Sequence, residues 1–131
     1  MKLKFKNTNI NYAVKKTTNK EGLASNDSWL MVDFNVDNEE FSYHNCRESL
    51  SLGEIIEACT VIRKLYDEPV AVKKKITFIK NYFIIYINNT PEKKKMVLKL
   101  VNLDDSKHNS YKVYFEQEEI LEFVNLSRNI A

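Results

Sequence analysis

Four side chains in this sequence could bind a soft metal ion or supply a thiol nucleophile: His44, Cys46, Cys59 and His108. A structural zinc site needs paired ligands two to four residues apart. His44 and Cys46 are separated by one residue, His108 lies in a polar stretch, and Cys59 falls on an apolar helical stripe. The four read as two surface histidines and two ordinary cysteines, with no metal or cofactor implied. On one strand, His44 and Cys46 would share a face about 7 Å apart. No residue nearby in sequence would orient the imidazole for catalysis. No serine stands in a Gly-x-Ser-x-Gly elbow. The acidic doublets Glu39-Glu40, Asp67-Glu68, Asp104-Asp105 and Glu118-Glu119 lie in predicted turns or helix ends. Sequence neighbours there point apart or into solvent, so none forms a positioned acid–base pair. No catalytic residue is assigned, and the chain reads as non-enzymatic.

Two basic runs, Lys73-Lys74-Lys75 and Lys93-Lys94-Lys95, flank a segment carrying Phe78, Tyr82, Phe83 and Tyr86. Aromatic rings on a sheet beside lysines can stack bases and hold phosphates. A nucleic-acid-binding module using the Lys73–Tyr86 surface is therefore one reading. Lysines at strand ends also discourage edge pairing. Arginine, the better phosphate clamp, occurs only at positions 47, 63 and 128. The net charge of +2 gives no global attraction to nucleic acid or an anionic membrane.

The elements that must position these residues follow from pattern. At 131 residues the chain is expected to be a single domain, residues 1–131. The N-terminus has no apolar run behind its lysines, and no stretch approaches the ~18 apolar residues of a membrane span. A cytoplasmic location with reduced cysteines is expected. Only two glycines occur, and asparagine takes over the turn positions. Residues 2–15 alternate as two short strands, and residues 16–28 read as a loop. Leu30, Val32, Phe34 and Val36 put one face of a strand on a core. Asp37-Asn38 is a tight turn, and 39–45 returns antiparallel. Ser51 and Glu54 are spaced as a capping box for a helix ending before Pro69, with Leu50 and Ile55 placed as a hydrophobic staple. Ile55, Ile56, Cys59, Ile62 and Leu65 are its predicted apolar stripe.

The second half reads as a meander: a strand at Ile76–Phe78, a turn at Lys80-Asn81, strands over 82–87 and 94–103, and a last one through Tyr111, Val113 and Phe115. A shorter helix begins near Glu116-Gln117 and buries Ile120, Leu121 and Val124. The fold expected is α+β: a curved, largely antiparallel sheet with one main helix on its concave face and a shorter C-terminal helix. Its core should include Trp29, Leu30, Val32, Phe34, Ile55, Ile62, Phe78, Ile85, Leu98 and Val113. The Leu3–Phe5 edge could pair two copies, although its lysines oppose that, so both monomer and homodimer stay open.

Several landmarks in this order resemble the WapI-type immunity proteins. They are Asp27-Ser28-Trp29-Leu30-Met31-Val32, Phe41-Ser42, Glu48-Ser49-Leu50-Ser51-Leu52-Gly53-Glu54, Lys75-Ile76-Thr77-Phe78-Ile79 and the segment from Tyr114 to Leu121. Together they span about Asp27 to the end. Lys80-Asn81 stands where that family carries Glu-Pro-Asn, and its usual acidic surface is missing here. The family comprises small bacterial proteins encoded beside polymorphic toxins and understood to bind and block the toxin domain. The resemblance implies a protein partner and carries over no catalytic residue. If that partner is a nuclease, charge distribution makes Asp33, Asp37, Glu39, Glu40, Asp104 and Asp105 the candidate contacts.

Overall fold

The computed structural model describes residues 2–5, 8–17, 29–103, 107 and 109–129. In chain order these form β1 (Lys2–Phe5), β2 (Thr8–Thr17), β3 (Trp29–Asp37), β4 (Ser42–Ser51) and α1 (Leu52–Asp67). Then come β5 (Val72–Thr77), β6 (Phe83–Asn89), β7 (Lys94–Val101), β8 (Ser110–Glu116) and α2 (Glu118–Arg128). The class is α+β, with every strand pair antiparallel.

The strands form two four-stranded sheets, β1-β2-β3-β4 and β5-β6-β7-β8, where the sequence suggested one. The reason is coverage. Eight strands abreast would span about 38 Å at ~4.8 Å each. Two helices of ~10 Å diameter cover only about 20 Å. With two sheets, each meander turns one apolar face toward the other and toward both helices. One contiguous core results, joining Ile10, Val32 and Phe34 to Leu98, Leu100 and Phe115, and these to Ile55 and Val124.

Local chemistry fixes the elements. In β3, Leu30, Val32, Phe34 and Val36 are buried and their neighbours are half-exposed, as alternation requires. The β3–β4 turn is held by Asn38, whose Oδ1 accepts from the N–H groups of Glu40 and Phe41, both at 2.8 Å. The capping box at the start of α1 is formed: Ser51 N–H donates to Glu54 Oε1 at 3.0 Å, and Glu54 N–H donates to Ser51 Oγ at 3.3 Å. Leu50 and Ile55 flank it, both buried.

Several details differ from expectation. β2 continues to Thr17, and residues 18–28 lie outside the described residues. Ile56 is exposed, one step round the helix from the buried Ile55, and Ala58 takes its place in the stripe. Leu121 is half-exposed, and α2 buries Phe123, Leu126 and Ser127 along with Ile120 and Val124. Phe78 is only partly buried against the core. Trp29 has the opposite parity to Leu30 and is half-buried on the outer side, where Lys80 Nζ lies 4.5 Å from its ring centroid. No described helix is long and apolar enough to cross a membrane.

Candidate binding faces

Each sheet buries one face, and the other is defined by register. On β5–β8 the outward positions align in three straight rows. The central row is Lys75–Tyr86–Val97–Tyr114, running across all four strands. On one side of it runs Lys73–Asn88–Lys95–Glu116, and on the other Thr77–Ile84–Lys99–Lys112. The helices lie against the opposite side. Residues of both, such as Ile55 and Phe123, line the same internal cavity as Phe83, Ile85 and Leu98, whose parity is inward. Among the described residues, the three rows are thus left open.

The composition of this face is lopsided, with five lysines and one carboxylate, Glu116. Glu116 is engaged by Lys93 from the β6–β7 turn, at 3.6 Å. None of the five lysines makes an ion pair among the described residues. Lys99 and Lys112 stand directly opposite each other on adjacent strands, an arrangement that costs stability in a sheet. Tyr114 is 59% exposed. Tyr86, Val97 and Ile84 are half-buried between the lysines, and Lys75 Nζ lies 5.8 Å from the Tyr86 ring centroid.

The outer face of β1–β4 is of another kind. Its rows include Lys4–Asn9–Asp37–Ser42, Lys2–Asn11–Asn35–His44 and the shorter Ala13–Asp33–Cys46. Here the polar groups bind each other. Asp33 Oδ1 accepts from Asn35 Nδ2 at 3.0 Å and sits 2.9 Å from His44 Nε2. Ser42 Oγ donates to Asp37 Oδ1.

The sequence-predicted contacts are distributed as follows. Asp33 and Asp37 share the outer face of β1–β4, and both are hydrogen-bonded to neighbours there. Glu39 and Glu40 are exposed in the β3–β4 turn at its end. Asp104 and Asp105 lie outside the described residues. The lysine triplets divide: Lys73, Lys75 and Lys95 join the open β5–β8 face, while Lys74 pairs in register with the inward Ile87. Lys94 Nζ donates to the Glu68 carbonyl at 3.0 Å. Of the aromatics named with them, Phe83 is core and Phe78 and Tyr82 pack against it, so Tyr86 alone belongs to the face. Its companions Tyr114, Lys99 and Lys112 come from β7 and β8. Strand parity was the signal that could have found them.

Among the soft-ligand candidates, His108 is outside the described residues, and no group of three potential ligands gathers among those described. Asp33 supplies the third residue beside His44 and Cys46 that the sequence did not offer. It stands opposite Cys46 in the ladder. Reactive thiols sit beside cations, and this neighbour is a carboxylate. Counting register back from the Asn38 turn would have found the pair.

The internal cavity, about 50 Å³, is lined by apolar side chains with Tyr12, Cys59 and Ser127. Burial pushes the Tyr12 phenol well above its ordinary range, partly offset by the Ser127 hydrogen bond. Burial also raises the Cys59 thiol, with Arg128 opposing it. Both groups stay protonated at neutral pH, and Cys59 Sγ lies 3.9 Å from the Val124 carbonyl, tying α1 to α2. This region is packing.

No protein-family model matches the chain, and no curated protein matches it. Among solved structures, the chain is similar to the crystal structure of a protein with unknown function from the DUF155 family from Prochlorococcus sp. NATL2A. The two are 11% identical, the match covers 99% of this chain and 98% of that one, and the TM-score is 0.47.

Proposed function

We propose that the protein is a non-enzymatic binding protein of the immunity type, which occludes a toxin domain by presenting a sheet face to it. The observation that carries this reading is the open face of β5–β8. It has an apolar and aromatic centre at Tyr86, Val97 and Tyr114 inside a charged rim. That is the anatomy of a protein–protein contact, in which a few central aromatic side chains carry most of the binding energy. The landmark residues whose order resembles that of WapI-type immunity proteins add support. They fall at the start of β3, at the β4–α1 junction, at the end of β5 and at the β8–α2 junction. The action proposed is cytoplasmic; Cys46 and Cys59 are both free thiols, the state that a reducing compartment maintains.

The test is a rescue assay. The C-terminal domain of the polypeptide encoded next to this chain is expressed in a bacterium with and without it. Growth arrest that this chain relieves, together with co-purification of the two, supports immunity. Unrelieved toxicity, or a neighbour without toxicity, removes it.

A second reading, binding of single-stranded nucleic acid, is favoured by the five lysines around Tyr86 and Tyr114. It requires an affinity for oligonucleotides that falls steeply with salt. Fluorescence anisotropy with labelled RNA and DNA at low salt decides it, and a flat titration ends it.

A further inference from the structure

We infer that the occupant of the open β5–β8 face is an acidic surface of a folded protein domain, one that places carboxylates around an apolar centre. This rests on the reading of the chain as a protein-binding immunity protein, and it names the contact face and the chemistry of the partner. Three observations carry it.

The first is uncompensated charge. Lys99 and Lys112 face each other across adjacent strands with no ion-pair partner among the described residues, and Lys73, Lys75 and Lys95 are equally unpaired. Like charges directly opposed in a sheet are unfavourable. They cease to be so when an anionic surface lies over them. The chain as a whole has a net charge of +2, so this face is a local concentration of charge and a device for steering and orienting a partner.

The second observation separates protein from nucleic acid. Base stacking needs a free ring face. Lys75 Nζ lies over the Tyr86 ring at 5.8 Å, which leaves Tyr114 as the one well-exposed ring in the central row. Val97, which faces it across the ladder, and Ile84, in the next row on β6, are aliphatic, suited to burying apolar side chains and unable to stack on bases. The cations are all lysine, whereas bidentate phosphate recognition uses arginine.

The third is the contrast with the other sheet. Asp33, Asp37, Asn35, Ser42 and His44 bond to one another, so that outer face has already used much of its hydrogen-bonding capacity. Among the described residues, the β5–β8 face has not.

The experiment uses the full chain and, as probes, the toxin domain encoded beside it and a twelve-residue oligothymidylate. Lys99→Glu and Lys112→Glu are made singly. Each turns the like-charge pair into an ion pair, so the fold is not weakened. Asp33→Asn, on the outer face of the other sheet, is the control. Calorimetry should show that each lysine reversal weakens the toxin complex by about tenfold or more, with a shallower salt dependence. The melting temperature should not fall, the control should bind as the wild type does, and the oligothymidylate should not bind. Wild-type rescue together with reversals that stay within twofold of wild-type affinity would leave immunity standing and overturn this face as the contact. Oligothymidylate binding that Lys99→Glu abolishes would assign the face to nucleic acid instead. A wild-type chain that neither rescues nor binds the toxin domain would end both readings together.

Discussion

The two halves of the chain run the same elements in the same order, a four-stranded meander and then a helix entered directly from the last strand. Their inner faces are interchangeable in character, each a set of aliphatic and aromatic side chains feeding one core. Their outer faces are not. The first carries amides, carboxylates and hydroxyls that satisfy one another, and the second carries lysines that have no ion-pair partner among the described residues. Inward positions are set by burial, which allows little choice of residue. Outward positions are free, so a charge arrangement there that works against stability points to a demand from outside the fold.

The largest effect tests whether the core is shared. Phe34→Ala, in the first sheet, and Phe115→Ala, in the second, should each cost about 3–5 kcal/mol. The Phe34 ring packs edge-on to Phe83 at 5.3 Å between centroids. Urea unfolding followed by fluorescence and circular dichroism should therefore give one transition for each variant. Separate transitions for the halves would break the comparison at its base.

Next in size is the tie between the halves at Glu54. One carboxylate oxygen accepts from the Ser51 N–H, and the other accepts from the Ile79 N–H at 2.8 Å, beyond the end of β5. Glu54→Ala removes the glutamate half of the capping box and this link together, while the Ser51 cap bond remains, and should cost about 2 kcal/mol because charge-assisted bonds are lost. An exposed glutamate elsewhere on α1, Glu57→Ala, should cost under about 0.5 kcal/mol. Equal losses at the two sites would remove the link from the account.

The helix entries differ in a way that can also be measured. Ser51 enters α1 with an extended backbone and a formed box. Gln117 enters α2 at φ 52° and ψ −123°, without a side-chain cap, in a region favoured by glycine. It is held there from β7: Lys94 N–H donates to Gln117 Oε1 at 2.6 Å, and Gln117 N–H donates to the Lys94 carbonyl at 3.0 Å. Gln117→Ala loses the side-chain bond and keeps the strain, whereas Gln117→Gly loses the bond and relieves the strain. The glycine variant should be the more stable of the two by about 1 kcal/mol. If the alanine variant matches it, the backbone there is not strained.

What could be read from the sequence, and what could not, divides along locality. The Asn38 turn, the Ser51–Glu54 box and the alternation of β3 are set by residues within a few positions, and their chemistry is visible in the letters. The division into two sheets depends on which apolar faces meet across the core, and strand patterns look the same either way. The lysine runs divide between faces for a related reason. A triplet such as Lys73-Lys74-Lys75 suggests a patch, but a strand sends alternate residues to opposite faces. The face becomes visible only once Lys75, Tyr86, Val97 and Tyr114 are in register. Asp33 and His44 were likewise apart in sequence and adjacent across a hairpin.

The smallest expected effect is the most informative about why the two outer faces differ. Replacing Lys99 with Glu puts a carboxylate opposite Lys112, in place of an ammonium. Exchanging a like-charge cross-strand pair for an opposite-charge pair should raise stability by about 0.5 kcal/mol. Lys99 is half-buried, so 0.5 M salt should reduce the gain without abolishing it. A matching substitution on the other sheet, Asp33→Asn, should go the opposite way. It removes the charge that His44 Nε2 and Asn35 Nδ2 contact. Opposite signs at Lys99 and Asp33 would mean that the first sheet's outer face is arranged for the fold and the second's is arranged against it. If Lys99→Glu is neutral or destabilising, the lysines are already accommodated within the fold, and the difference between the two faces loses its meaning as a sign of a partner.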